Sequence, residues 1–464
     1  MATEGPRLTQ LSGAVDPAGG VLDEGRRLGR LAWPIVLGQV GLVMMGLVDV
    51  IVCGWEGERT LAAVGAGRIW AFGVLLFGFG ALRGIEPIFA QAWGAGERSR
   101  MAVSLAQTAA FVLVLSVPVV ALHLVCGPAL TLLGQPPEVI PDAAAYCDAR
   151  AVGVPFALAY TGLAAWLQGQ GRVRAPMVVV WVGNVVNLLL DLLLVGGIDL
   201  AGGLSIPAYG AVGCAWATTV VELVGAAFLA ALCAAEVKAA ARIPLRVVFD
   251  RSALVRMTRL GLPVGVQTSL EVWAFNAAGL LVGTLGAASL AAHVIAMQII
   301  SLTFMVPFGV GGAASARVGN LVGAGQPWGT AGVAAVVIGA GWMLLSSVTL
   351  VVFGGPILGA FTSERAVLAV ALTLLPVAAL FQVADGVQAV AFGVLRGAGD
   401  TRVPALANVV AYWLVGIPCG WFWGIHRGEG AGGVWLGLAV GLVLVALLML
   451  VRMKMVAARP VRRV

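Results

Sequence analysis

The chain has 464 residues, of which 60% are apolar and 11% charged, with a net charge of +6. A water-facing domain carries about 25% charged residues, so composition excludes a soluble globular fold. The 64 glycines suit close packing of helices in lipid.

The first 30 residues are polar and carry Arg7, Arg26, Arg27 and Arg30. They lack an apolar h-region and a small-residue cleavage site, so the first apolar run is expected to stay as an uncleaved anchor. About 20 apolar residues cross a bilayer as a helix. On that measure spans are expected near 31–54, 61–83, 102–126, 143–168, 176–198 and 209–235. A basic linker over 236–258 follows. A second set is expected near 259–284, 288–315, 329–353, 366–395, 404–424 and 431–451, and a tail over 453–464 closes the chain. Backbone groups in lipid must be satisfied within the segment, which leaves helices or a closed barrel. Barrel strands are short and alternating; these runs are twice that length and do not alternate. The fold class is therefore an all-α integral membrane protein with twelve transmembrane helices.

An even number of spans puts both termini on one side. With that side cytoplasmic, all but five of the 28 Lys and Arg fall in inner segments; the exceptions are Arg59, Arg68, Arg150, Arg365 and Arg427. This is the positive-inside bias. The basic balance is thus topology, and no nucleic-acid partner is expected.

The two halves repeat. Pro34 matches Pro263, Leu61-Ala62-Ala63 matches Leu290-Ala291-Ala292, and Gly94-Ala95-Gly96 matches Gly323-Ala324-Gly325, each 229 positions on. Gly169-Gln170-Gly171 and Pro176 match Gly397-Ala398-Gly399 and Pro404 at an offset of 228. Six spans per unit insert both units in the same orientation, a parallel repeat. Two six-helix lobes, 31–235 and 259–452, are expected around a central cleft.

Ionisable side chains at mid-membrane cost about 2.5–3.5 kcal/mol each on insertion scales, and their default reading is functional. Asp49, Asp191, Glu222, Glu271 and Asp385 fall in spans 1, 5, 6, 7 and 10. At about 1.5 Å per residue, Asp49 and Asp191 reach similar depths and are expected to meet in the outer half of the first lobe. Asn184 and Asn187 share a helix face with Asp191. Glu271 and Asp385 belong to the second lobe, nearer the middle. The duplicate positions of Asp49, Glu271 and Asp385 are Ala278, Leu42 and Ala157, so neither lobe needs these acids in order to fold. Glu222 is balanced between a transport role and simply facing the interior of its lobe.

Other features point to packing. The six cysteines have no metal-ligand or redox spacing, and three scattered histidines argue against a metal centre. His293 reads as a satisfied packing histidine. Arg68 is expected to snorkel or to pair with Glu56 or Glu58 near the outer end. The Gly-Ala-Gly segments lack the GxxxxGK[ST] pattern, so they are no phosphate loops.

The chain resembles the multidrug and toxic compound extrusion (MATE) family over nearly its full length. The motifs that carry the resemblance are Val48-Asp49-Val-Ile-Val-Cys-Gly54, Leu61-Ala-Ala-Val-Gly65 and Pro87-Ile-Phe-Ala-Gln91-Ala-Trp-Gly94-Ala-Gly96 in the first half. The second half contributes Gly261-Leu-Pro263, Leu290-Ala-Ala-His293, Val318-Gly319-Asn-Leu-Val-Gly323-Ala-Gly325 and Leu395-Arg396-Gly397-Ala-Gly399-Asp400. The resemblance implies two lobes around a V-shaped cleft and export of organic cations and amphipathic drugs against H+ or Na+. In the NorM-type branch, acids of helices 1, 7 and 10 are implicated in coupling, and Asp49, Glu271 and Asp385 occupy those motif positions. In the DinF-type branch the acids lie in helices 1 and 5, and Asp49 with Asp191 resembles that pair. Glu271 and Asp385 favour the NorM-like branch.

A monomeric carrier in the cell membrane follows as the expectation, with small-molecule drugs and lipid as partners. No cofactor is expected, and no metal beyond Na+ at the acids. A lipid-linked saccharide flippase would need a cleft rich in Arg and Lys to hold pyrophosphate, and basic residues are few in these spans. An intramembrane enzyme would need a nucleophile–base pair or a metal cluster, which the spacing lacks. A channel would not bind ion and substrate competitively.

Overall fold

A computed structural model describes residues 18–200, 204–460 and 463–464; Arg7 and Arg462 of the two basic tails lie outside them. The first lobe contains α1 (Val21–Glu56), α2 (Glu58–Gly84), α3 (Arg98–Leu124), α4 (Ile140–Gly169), α5 (Arg174–Leu194) and α6 (Gly210–Leu232). The second contains α7 (Arg251–Gly283), α8 (Ala287–Gly323), α9 (Gly329–Phe361), α10 (Arg365–Gly397), α11 (Arg402–His426) and α12 (Gly430–Ala457). A short helix, Glu86–Gly94, extends α2. Among the described residues eleven helices are long and apolar enough to cross a membrane. The twelfth, α7, is as long but carries Gln267, Thr268, Glu271 and Asn276 along its middle. The protein is a multi-pass membrane protein of twelve helices.

Several boundaries differ from expectation: α1 begins at Val21, inside the expected tail, α8 runs to Gly323 rather than 315, and α9 to Phe361 rather than 353. The sequence runs the linker to residue 258, yet α7 begins at Arg251. Asp250 caps it by accepting from the Ala253 N–H at 2.9 Å, so two polar turns are helical before the apolar part starts. The Ser252 hydroxyl bonded to Asp250 holds its carboxyl below the usual range. Span 5 stops at Leu194 rather than near 198, because Gly196 and Gly197 follow. A short antiparallel hairpin then pairs β1 (Ile198–Leu200) with β2 (Leu204–Ile206).

Helix pairs recur between lobes with their numbers raised by six. The α2–α4, α3–α4 and α4–α6 packings return as α8–α10, α9–α10 and α10–α12. Across the lobes α2 packs on α7 and α1 on α8; each of these pairs is the other's duplicate. The local contacts obey the same symmetry. A Cβ on Gly94 would meet the backbone of Asn320, and one on Gly323 the backbone of Gln91, and both pairs of positions are related by 229. Gly96 and Gly325 turn the chain at φ +72° and +70°, values that only glycine adopts freely. The Gly-Ala-Gly landmarks are therefore a close-approach glycine followed by a turn glycine, once per lobe.

The lobes touch at the end that carries both described termini, called here the terminal face. Gly80 and Gly84 of α2 cross Gly261 and Gly265 of α7 backbone to backbone, the small-residue pattern that lets helices in lipid approach closely. Leu28, Ala32 and Ile35 of α1 are buried in a cluster with Val310, Trp328 and Val390 of the other lobe. Buried Glu24 accepts from Arg317 Nε at 2.8 Å and Nη2 at 2.7 Å. Above these contacts lies a cleft of about 710 Å³ lined by both lobes.

Candidate cation and substrate site

Three of the predicted polar residues of the first lobe converge. Asn187, on α5, donates to Asp49 of α1 at 2.7 Å and also to Asp191, one turn along its own helix. Asp191 and Asn187 are fully buried and Asp49 is 5% exposed. Only Asp49 of the three reaches the cleft wall. Cys214 of α6 completes the group, its sulfur and the two carboxylates lying within 4.8 Å of one another. One oxygen each of Asp191 and Asn187 is buried without a partner. Unpaired acceptors beside two neighbouring carboxylates suit a proton or a small cation. Asn184 does not join them. It donates to Gly41 and Val180 carbonyls at 3.0 and 2.9 Å and ties α5 to α1.

Glu222 belongs elsewhere. Both its oxygens accept from Arg150, at 2.8 and 2.6 Å, so its charge is already answered within the lobe. Arg68 differs from expectation as well. Its guanidinium turns inward to the Gly46 carbonyl of α1 instead of outward to Glu56 or Glu58. Glycine at 46 makes the room, since a Cβ there would collide with the guanidinium.

In the second lobe Glu271 of α7 accepts from Gln388 of α10 and Asn408 of α11, each at 3.1 Å. Asp385 is 4% exposed and lines the cleft with Glu271. Among the described residues Asp385 has no hydrogen-bond or ion-pair partner. Tyr412 is fully buried against Phe275 at 5.6 Å between ring centres, and its hydroxyl is unpartnered. It sits in a π-helical stretch of α11, Val410–Gly416, a distortion that favours functional sites. His293 accepts from Trp435 at 3.1 Å within the core, a packing histidine as read. All six cysteines are free.

Sequence reasoning missed Cys214, Gln388, Asn408 and Tyr412. Gln388 was within reach: it stands three residues after Asp385, on the same helix face. Asn408 is an isolated amide inside an apolar span. Nothing local to the sequence marks Cys214 or Tyr412, because only the packing of α6 and the π-turn bring them to the acids.

The cleft also holds four arginines, Arg68, Arg83, Arg150 and Arg396, more than the span composition suggests. Each is engaged. Arg83 donates to Gln39 at 3.1 Å and lies over the Phe308 ring; Arg396 faces Glu86 at 3.5 Å. Among the described residues, the carboxylates buried in the spans or lining the cleft that have no ion-pair partner are those of Asp49, Asp191, Glu271 and Asp385.

The MatE family model matches this chain twice, over residues 34–193 and 263–422, two stretches at the same 229-residue offset. The chain is 36% identical to a probable multidrug resistance protein NorM of Mesorhizobium japonicum, covering 91% of this chain and 92% of that one. It is 36% identical to multidrug resistance protein NorM of Burkholderia vietnamiensis, over 90% and 91% of the two chains. Its fold matches the crystal structure of the eukaryotic MATE transporter AtDTX14 with a TM-score of 0.84 at 22% identity, over 95% and 98% of the chains. A doubled six-helix unit, a cleft between its copies and a doubled family match lead to one conclusion: the chain belongs to the MatE family and is a NorM-like membrane transporter.

Proposed function

We propose that this protein is a secondary active efflux antiporter of the cell membrane. It exports organic cations and amphipathic drugs in exchange for H+ or Na+, by alternating access between its lobes, as a monomer with both termini cytoplasmic. The observation that carries this reading is the cleft itself. Its wall combines aromatic rings, among them Phe72, Phe275, Phe304 and Phe308, with the carboxylates of Asp49, Glu271 and Asp385. Rings attract organic cations through their faces, and a carboxylate without a partner in a low-dielectric wall attracts any cation that reaches it.

The acids can serve drug and ion in turn. A drug cation leaves when a proton or Na+ neutralises the carboxylates that hold it. One inward monovalent charge supplies about 2.3 kcal/mol per 100 mV. In the first lobe the ion would sit among Asp49, Asp191, Asn187 and Cys214. In the second, Glu271 and Asp385 would hold it, with Gln388 and Asn408 orienting Glu271. A saccharide flippase is disfavoured because every arginine of the cleft is already engaged.

The test is drug efflux by Asp49→Asn, Glu271→Gln and Asp385→Asn at equal expression. Efflux is expected to fail in at least one, and full retention in all three would sink the proposal. Substrate-linked pH change in proteoliposomes, with and without a sodium gradient, assigns the ion; counterflow separates a carrier from a channel.

A further inference from the structure

A second cavity, of about 1010 Å³, opens on the terminal face of the second lobe. It lies between the start of α7, the turn before α11 and the end of α12. Arg251, Arg256, Arg259, Arg402 and Arg452 converge on it, against Asp250 and Asp400. Both acids have other bonds, and two carboxylates do not balance five guanidinium groups. Asp400 is held by Arg452 at 2.6 Å, and Asp250 is spent on the α7 cap. Among the described residues, Arg251, Arg256, Arg259 and Arg402 form no ion pair within 4 Å, and Asp250 offsets only part of the charge of Arg256. The Nε of Arg256 is shielded from solvent and finds no acceptor.

The positive-inside bias explains why arginines gather on one face. It does not explain this convergence. Several arginines elsewhere on the same face are answered, Arg100 and Arg463 by Glu97, Arg172 by Glu236 and Arg317 by Glu24, and those that are not line no cavity with four others. The N-termini of α7 and α11 also open here, and each adds a partial positive charge. The cavity therefore fits a phosphate-bearing anion.

Two apolar strips indicate its source. Val255 of α7 and Val403 of α11 line the cavity. From there exposed Leu262 and Val266 continue along α7, and exposed Leu406 and Val410 along α11. These two helices pack on one another, so the strips run from the arginines toward the hydrocarbon region. A free phosphate has no use for them, whereas an acyl chain does.

We propose that this cavity holds the headgroup phosphate of an anionic phospholipid from the leaflet at the terminal face, with the acyl chains along α7 and α11. Basic pockets between transmembrane helices bind such headgroups by the same electrostatics. Asp400 and Thr401 line both this cavity and the central cleft, so the lipid rests against the cleft floor. The site is independent of what the cleft transports.

Native mass spectrometry of the purified full chain, titrated with phosphatidylglycerol or phosphatidylcholine, tests this. One phosphatidylglycerol per chain is expected, held at least about tenfold more tightly than phosphatidylcholine. Arg256→Gln, Arg259→Gln and Arg402→Gln should each weaken it about fivefold, the scale of one basic residue at an anionic surface. The triple variant should lose the preference. Arg26→Gln with Arg30→Gln removes charge from the same face outside the cavity and should change nothing. Should the triple variant not fold, the three single variants carry the test. Unchanged phosphatidylglycerol binding in the single variants overturns the proposal. So does complete displacement of the lipid by millimolar inorganic phosphate, which would make the ligand a soluble anion.

Discussion

An amide substitution removes different things from Asp385 and from Glu222. Asp385 has no bonded partner among the described residues, so Asp385→Asn deletes a charge and breaks no contact. Its thermal unfolding temperature should be at least that of the parent, because an unanswered buried charge is removed. Its drug efflux should fall about tenfold or more, since about 1.4 kcal/mol of lost charge–cation attraction already accounts for a factor of ten. Unfolding temperature and efflux rate, measured on the same preparation, check both halves of this expectation. Glu222→Gln strips the partner from buried Arg150, and losing one member of a buried pair costs about 3–5 kcal/mol. Lowered thermal stability is expected there, with much of it recovered by Arg150→Met paired with Glu222→Leu. The rarity of acids in apolar runs made Asp49, Asp191, Glu271 and Asp385 legible in the sequence. The same signal promoted Glu222, because the cost of an intramembrane acid says nothing about a buried arginine 72 residues away in the chain.

At the level of helices, the glycines decide how closely the lobes meet. The sequence shows that Gly94 and Gly323 repeat, but a repeat offset carries no contact. The structure supplies it: each glycine lies on the backbone of the opposite lobe, at Asn320 and at Gln91. A Cβ at either place would sit 2.1 Å from a carbonyl oxygen, so the lobes must part at the terminal face to admit one. Gly94→Val and Gly323→Val should each shift the protein toward conformations open at that face. Spin labels on Ser99 and Thr330 would then report a longer interlobe distance in either variant, and an unchanged distribution would contradict the close-approach argument. The π-turns of α11 were beyond sequence reasoning for a related reason. The stretches Val410–Gly416 and Phe422–His426 carry glycines packed on α12, as Gly416 meets Gly441, and the register of that seam is a tertiary property.

Across the whole molecule, the most informative place is where the symmetry breaks. Glu86 and Ser315 are repeat partners, and so are Gln168 and Arg396. Within the first lobe Gln168 donates to Glu86 at 2.9 Å; within the second, Arg396 donates to Ser315 at 3.3 Å. The duplicated geometry is intact, but one lobe carries the acid and the other the base, and the two charges face each other at 3.5 Å across the interface. Duplication thus provides the shape of the floor, and divergence provides an ion pair that fastens it. With Glu24 and Arg317, two buried pairs hold the terminal face shut beneath the cleft. The proposed alternating access requires both to open. Removing one charge of such a pair costs more than removing both, because the survivor is left buried and unanswered. Arg396→Gln should therefore open the terminal face further than Glu86→Gln combined with Arg396→Gln. The double variant rebuilds a neutral, near-symmetric floor of Gln168, Ser315 and two new amides. The Ser99–Thr330 distance distribution separates the outcomes. If the double variant is as open as the single one, the pair acts only as a contact, and its charge has no part in holding the lobes together.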